Sequence, residues 1–246
     1  MSPTALLTSL ALAATAFPEP GPTTAHDEIN ADLDHPQVKD LGNGAFKAGL
    51  VHFNSSTRSI SFPCTVNMTE GLLEYAIVHE NGKIHEALLS TKAQPVDLNV
   101  ALKLLHFEPS QELFMILDED YRPTGKFPEV PEETRHAARV EILLSWKDAS
   151  GKDHTAALND WITNSRTKTP VAAAPWVYGG SCLHHGVFQA QAMGDIAAVY
   201  TNRTALFNFP GKDRSNDEVW IPTPEKTPPV GTPVTVTILP PLKPKQ

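Results

Sequence analysis

The stretch LLEYAIVHENGKIHEALLS, residues Leu72 to Ser90, consists of two apolar runs split by Asn81-Gly82. Asn-Gly supplies the positive φ angles of a two-residue type I′ turn, so the stretch predicts an antiparallel hairpin with Glu80 opposite Lys83. Counting outward from that turn places His79 opposite Ile84 and Ile77 opposite Glu86. Leu73, Tyr75, Ile77, His79, Ile84, Glu86 and Leu88 then share one face, the more apolar one and therefore the expected core face. On that face Glu86 comes within diagonal reach of His79, forming a half-buried carboxylate–imidazole pair, because a buried carboxylate needs a partner. Lys83 and His85 lie on the opposite face.

The same kind of reading extends along the chain. Ala45 to Phe53 and Ser59 to Phe62 make a first hairpin, with Phe62-Pro63 ending its second strand. After Pro95, Leu98, Ala101, Leu102 and Leu105 recur at helical spacing, with proline in the first turn and Asp97 at the positive end of the dipole. This is the one prominent amphipathic helix. Val140, Ile142, Leu144 and Trp146 alternate, and Asp148-Ala149-Ser150-Gly151 turns the chain back into His154 to Leu158. Near the C-terminus, eight prolines fall between Ile221 and Gln246. Val234 to Leu239 alternates between them, and its flanking prolines predict an edge strand. The expected fold class is α+β, mainly β, with antiparallel hairpins forming a sheet or sandwich and one prominent amphipathic helix. The expected organisation is a signal peptide over residues 1–16, a flexible leader over 17–40, one domain over 41–240 and a tail over 241–246.

With 28 acidic against 20 basic side chains the formal net charge is −8, which repels a phosphate backbone and argues against nucleic acid as partner. Ala5 to Ala16 is an apolar run of signal-peptide length ending in Ala14-Thr15-Ala16, so export to the periplasm or cell surface is expected. No stretch is long enough to span a bilayer. Two cysteines, Cys64 and Cys182, allow one disulfide in an oxidising compartment, with two free buried thiols as the alternative. An iron–sulfur cluster needs about four cysteine ligands and is not expected.

Candidate chemistry is sparse, and no cofactor is expected. Lys83, His85 and Glu86 form the densest group, with His79 across the hairpin, and Asp160 beside Trp161 adds a carboxylate next to an indole. Cys182-Leu183-His184-His185 offers soft and imidazole ligands at a spacing that makes His184 and His185 weak metal candidates. Ser181 lacks the second glycine of a nucleophile elbow. Asn54, Asn67 and Asn202 head glycosylation sequons, which matter only in a eukaryotic secretory host.

Phe62-Pro63-Cys64, Gly71-Leu72-Leu73-Glu74-Tyr75, Gly82-Lys83-Ile84-His85-Glu86, Pro95, Ala101 to Leu105, Gly179-Gly180-Ser181, Gly194-Asp195 and Ala205-Leu206 together resemble the YdjY-like domain proteins. The likeness spans roughly Leu41 to Pro240, and Gly-Lys-x-His-Glu is its most specific block. The resemblance implies an exported bacterial protein. Some relatives carry ferredoxin-like cysteine clusters, which this chain lacks, so a redox role does not carry over. The leading expectation is a non-catalytic binding or scaffold domain of the envelope, acting on a protein partner or small ligand. The alternative is a metal-binding or hydrolytic enzyme using His79 and Glu86, or Cys182, His184 and His185.

Overall fold

A computed structural model of the chain describes residues 36–120 and 122–241. The expected signal peptide, most of the leader and residues 242–246 lie outside the described residues. In chain order the strands are β1 Val38–Gly42, β2 Ala45–Ala48, β3 Val51–Asn54, β4 Ser59–Val66, β5 Tyr75–His79 and β6 Ala87–Thr91. After helix α1, Pro95–Leu104, and helix α2, Glu132–Ala137, come β7 Arg139–Lys147, β8 Asp153–Ala157, β9 Ile162–Asn164, β10 Thr169–Pro170, β11 Trp176–Tyr178, β12 Leu183–His184 and β13 Val187–Phe188. Helix α3, Gln189–Met193, precedes β14 Asp195–Ala198, β15 Phe207–Asn208, β16 Trp220–Pro222 and β17 Pro233–Leu239. The end of the expected leader, Val38 to Asp40, is already paired strand.

The main sheet runs β4-β17-β7-β11-β15-β14-β5-β6, and β6 returns to β4 through Thr65 opposite Ser90 and Val66 opposite Leu89. Those eight strands close into a barrel, not the open sheet or sandwich expected. Closure removes the edges that an open sheet would expose. The β1-β2-β3 meander extends from β4, and β8 extends from β7. Alternating burial along β4, β7 and β17 points Ile60, Phe62, Val140, Ile142, Val236 and Ile238 into one core. β5 and β14 are buried at every position, as strands covered on both faces must be. Helix α1 starts with Pro95 at its first position and sinks Leu98, Ala101 and Leu102 into the same core.

Three expectations are corrected here. The segment after β5 is no hairpin: β5 and β6 are parallel, with Tyr75 opposite Ala87 and His79 opposite Thr91. Neither Asn81 nor Gly82 has a positive φ. The type I′ geometry occurs instead at His185 (φ 49°) and Gly186 (φ 80°), between β12 and β13. The second correction concerns β17, which is not an edge. It pairs with β4 on one side and β7 on the other, with Pro233 as its first paired residue and Pro240 just beyond its last, Leu239. Likewise β4 runs through Pro63, which lies between the last pair with β3, at Ser61, and the first with β6, at Thr65. One side of Pro63 thus has no strand partner, and its missing N–H costs no ladder bond there.

The third correction concerns the disulfide: Cys64 and Cys182 are both free. Cys64 lies buried in the barrel wall, where loss of solvation pushes its thiol far up, whereas Cys182 is part-exposed before β12. Thiol titration of the native protein is expected to find one rapidly reacting sulfhydryl, Cys182, and a second after denaturation. A denatured protein with no reactive thiol would restore the disulfide.

Candidate functional site

The Gly82–Glu86 block forms the connection between the two parallel strands. The Gly82 amide donates to the carbonyl of His79 at 2.8 Å and closes a turn, Ile84–Glu86 adds one 3-10 turn, and the Glu74 amide donates to the carbonyl of Glu86 at 3.0 Å. Asn67 braces this from outside, its amide nitrogen donating to the carbonyls of Ile84 (2.5 Å) and Ala87 (2.7 Å). Glycine is required at 82 by proximity: a Cβ there would lie 2.9 Å from the Met193 carbonyl and 3.3 Å from Gly194 Cα. The turn is thereby locked onto the end of α3.

Lys83 projects from this turn over the start of β5. Its Nζ is 3.1 Å from Glu86 Oε1, 3.4 Å from Glu74 Oε2 and 5.3 Å from the centre of the Tyr75 ring. Burial opposes the ammonium charge, but the Glu86 hydrogen bond and the neighbouring Tyr75 and Glu74 outweigh it, and the Lys83 pKa is raised. Beneath Lys83 lies a polar network that the sequence did not suggest. The Asn202 amide nitrogen donates to the Tyr75 hydroxyl oxygen at 2.6 Å and to Asp195 Oδ2 at 3.2 Å, and the Thr204 hydroxyl also donates to Asp195 Oδ2. Asp195 is 2% exposed, and its Oδ1 has no partner. Burial raises the Asp195 pKa and, with the Asp195 charge nearby, pushes the Tyr75 phenol up to about 12. The Asn202 backbone amide also donates to the side-chain oxygen of Asn208, whose own nitrogen is buried without a partner.

A buried carboxylate with one unsatisfied oxygen costs stability at neutral pH. Because folding raises the pKa of Asp195, the native state holds this proton more tightly than the unfolded chain, so the cost is absent at acid pH and sets in as pH rises through the folded pKa. Asp195→Asn is therefore expected to raise stability by about 1 kcal/mol at pH 7, with the gain fading towards pH 4. Urea denaturation at the two pH values checks this. A loss at pH 7 would show that the network favours the ionised form.

The remaining predicted residues scatter. His85 is exposed on the turn, its Nε2 4.0 Å from Glu86 Oε2. His79 does not meet Glu86: its Nδ1 accepts from the Asn81 amide at 3.2 Å, its Nε2 is 3.2 Å from the Gln94 amide nitrogen, and burial lowers its pKa. The antiparallel register that would have joined them does not form. Asp160, in the 3-10 turn after β8, pairs with Lys226 at 3.4 Å. His184 and His185 stack edge to face at 4.2 Å near the tip of the β12–β13 hairpin. Among the described residues no three His, Cys, Asp or Glu side chains are arranged to hold a metal ion, so Cys182, His184 and His185 do not form a ligand set. The Ser181 hydroxyl donates to the Thr204 carbonyl at 2.6 Å and accepts from the Ala190 amide, which makes it a brace. The sequon nitrogens of Asn67 and Asn202 are engaged inside the fold.

Exposed apolar side chains occur on the turn, at the end of α3 that contacts it, and on the β12–β13 hairpin. Ile84 is 42% exposed, Met193 52%, Val187 52% and Leu183 71%, with His85 beside Ile84 on the same turn. No described helix is long and apolar enough to cross a membrane.

Comparison with curated proteins and with solved structures gives no match. The family model of the YdjY domain matches residues 51–239, from β3 to the end of β17, and therefore takes in every barrel strand, the Lys83 turn and the Asp195 network. The chain belongs to the YdjY domain family.

Proposed function

We propose that this protein is a non-catalytic binding domain of the bacterial envelope, exported by its N-terminal segment, and that it recognises a partner protein through the Gly82–Glu86 turn. The observation that carries the reading is the display of Lys83, Ile84 and His85 on a turn packed against the end of α3, where Met193 is also exposed. Exposed apolar side chains beside charge and imidazole are the ordinary composition of a protein-binding patch. The turn is held by the Gly82–Gly194 contact and the Asn67 clamp, so little ordering entropy is lost on association.

The test is a photo-crosslinking amino acid placed at Ile84, at Met193 and, as control, at Ser150 on the β7–β8 turn, in the chain expressed in a bacterial host of its family. One discrete adduct from positions 84 and 193, absent at 150 and lost with Lys83→Glu, is expected in the envelope fraction. Equal adducts at all three positions, or none, would overturn the binding surface. N-terminal sequencing of the same material checks export, with Phe17 expected as first residue; an intact Met1 would refute it.

A further inference from the structure

Away from the Lys83 turn, a cavity of about 500 Å³ opens between the 128–130 loop, the start of β7 and the 210–214 segment. Its charged lining is Arg135, Arg139 and Arg214 against Glu112 and Glu129, three positive and two negative side chains, on a protein whose formal charge is −8. Leu113, Pro128, Val130 and Pro210 make the rest of the wall apolar.

The arginines are not fully used by the fold. Arg139 Nη2 is 2.6 Å from Glu112 Oε1, a bond that ties the 112–114 segment to β7. Its Nη1 is buried with no hydrogen-bond partner. Arg214 lies with its guanidinium carbon 5.8 Å from the Phe127 ring centre, and its Nε is likewise buried and unpartnered. Arg135 approaches Glu112 Oε2 only to 3.9 Å, and that oxygen also lacks a hydrogen bond. Buried donors without acceptors are rare in folded proteins, because each has given up water for nothing. Two arginines lining one cavity thus keep hydrogen-bonding capacity that the fold does not fill, and guanidinium groups are matched to carboxylate oxygens.

We propose that this cavity binds a small organic monocarboxylate, its carboxylate pairing with the Arg139 and Arg214 guanidinium groups and its apolar body lying against Leu113, Pro128 and Pro210. The single excess positive charge suits a monoanion, since Glu112 and Glu129 would repel a second negative charge. The volume falls within the range of ordinary small-ligand pockets. This inference is independent of the proposed docking surface, which shares none of these residues.

Calorimetric titration of the full chain with benzoate, acetate and inorganic phosphate tests it. Benzoate is expected to bind more tightly than either of the others, and Arg214→Gln to weaken it by at least about tenfold while the melting transition persists. Arg139→Gln should weaken it as well, and Arg214→Gln keeps the test decisive if the loss of the Glu112 partner unfolds that variant. No benzoate binding, phosphate or acetate binding as tight as benzoate, or undiminished affinity in Arg214→Gln would each overturn the proposal.

Discussion

A chain ending at Thr232 is expected not to fold. The truncation removes β17, which pairs with β4 from Pro233 opposite Thr65 to Ile238 opposite Ile60, and with β7 from Thr235 opposite Ser145 to Leu239 opposite Glu141. It takes Val234, Val236 and Ile238 out of the core, each worth about 1.5–3 kcal/mol of burial. Their sum is comparable with the roughly 5–15 kcal/mol that holds a whole domain. The loss also opens two unpaired edges at once, on β4 and β7, where the intact barrel has none. Circular dichroism in the near ultraviolet and urea denaturation are the measurements: no fixed tertiary signal and no cooperative transition are expected. A synthetic peptide covering residues 229–241 added during refolding should restore both. A truncated chain that unfolds cooperatively by itself would mean that barrel closure is dispensable.

The second large effect is expected at Gly194. Its φ of 75° is left-handed, and a Cβ there would lie 2.9 Å from Gly82 Cα and 3.1 Å from Gly82 N, backbone atoms that cannot swing aside. Gly194→Ala should therefore cost about 3 kcal/mol, combining the left-handed penalty with displacement of the Lys83 turn. Gly151 separates the two contributions. Its φ is 84° but nothing lies within 4 Å of the added atom, so Gly151→Ala should cost only about 1 kcal/mol. Equal losses in the two variants, read from urea midpoints, would show that the contact between Gly82 and Gly194 constrains nothing. The position matters beyond stability, because Gly194 joins α3 to Asp195 and so connects the exposed turn with the buried network.

The candidate site was partly legible. Gly82-Lys83-Ile84-His85-Glu86 stood out as chemically dense, and the structure does place Lys83 and Glu86 in contact on an exposed turn. The network beneath it could not be read, since Tyr75 lies more than a hundred residues along the chain from Asp195 and Asn202. The arginine cavity is equally hidden, because Glu112, Arg139 and Arg214 reach it from widely separated parts of the chain. Gly82 was noticed for the wrong reason, as a source of positive φ, when its role is to let the chain approach Gly194.

Period and punctuation, both local properties, were enough for the elements whose partners lie next door. The β7–β8 hairpin formed as its alternation and its Asp148–Gly151 turn require, and α1 began at Pro95 with Leu98, Ala101 and Leu102 inward. Alternation likewise marked Val234 to Leu239 as a strand. Which strands pair across long separations is decided by closure of the barrel, which satisfies the backbone of every wall strand and buries one common core. That requirement set β17 between β4 and β7 and turned β5 and β6 parallel, two outcomes that neither proline bracketing nor an Asn-Gly pair encodes.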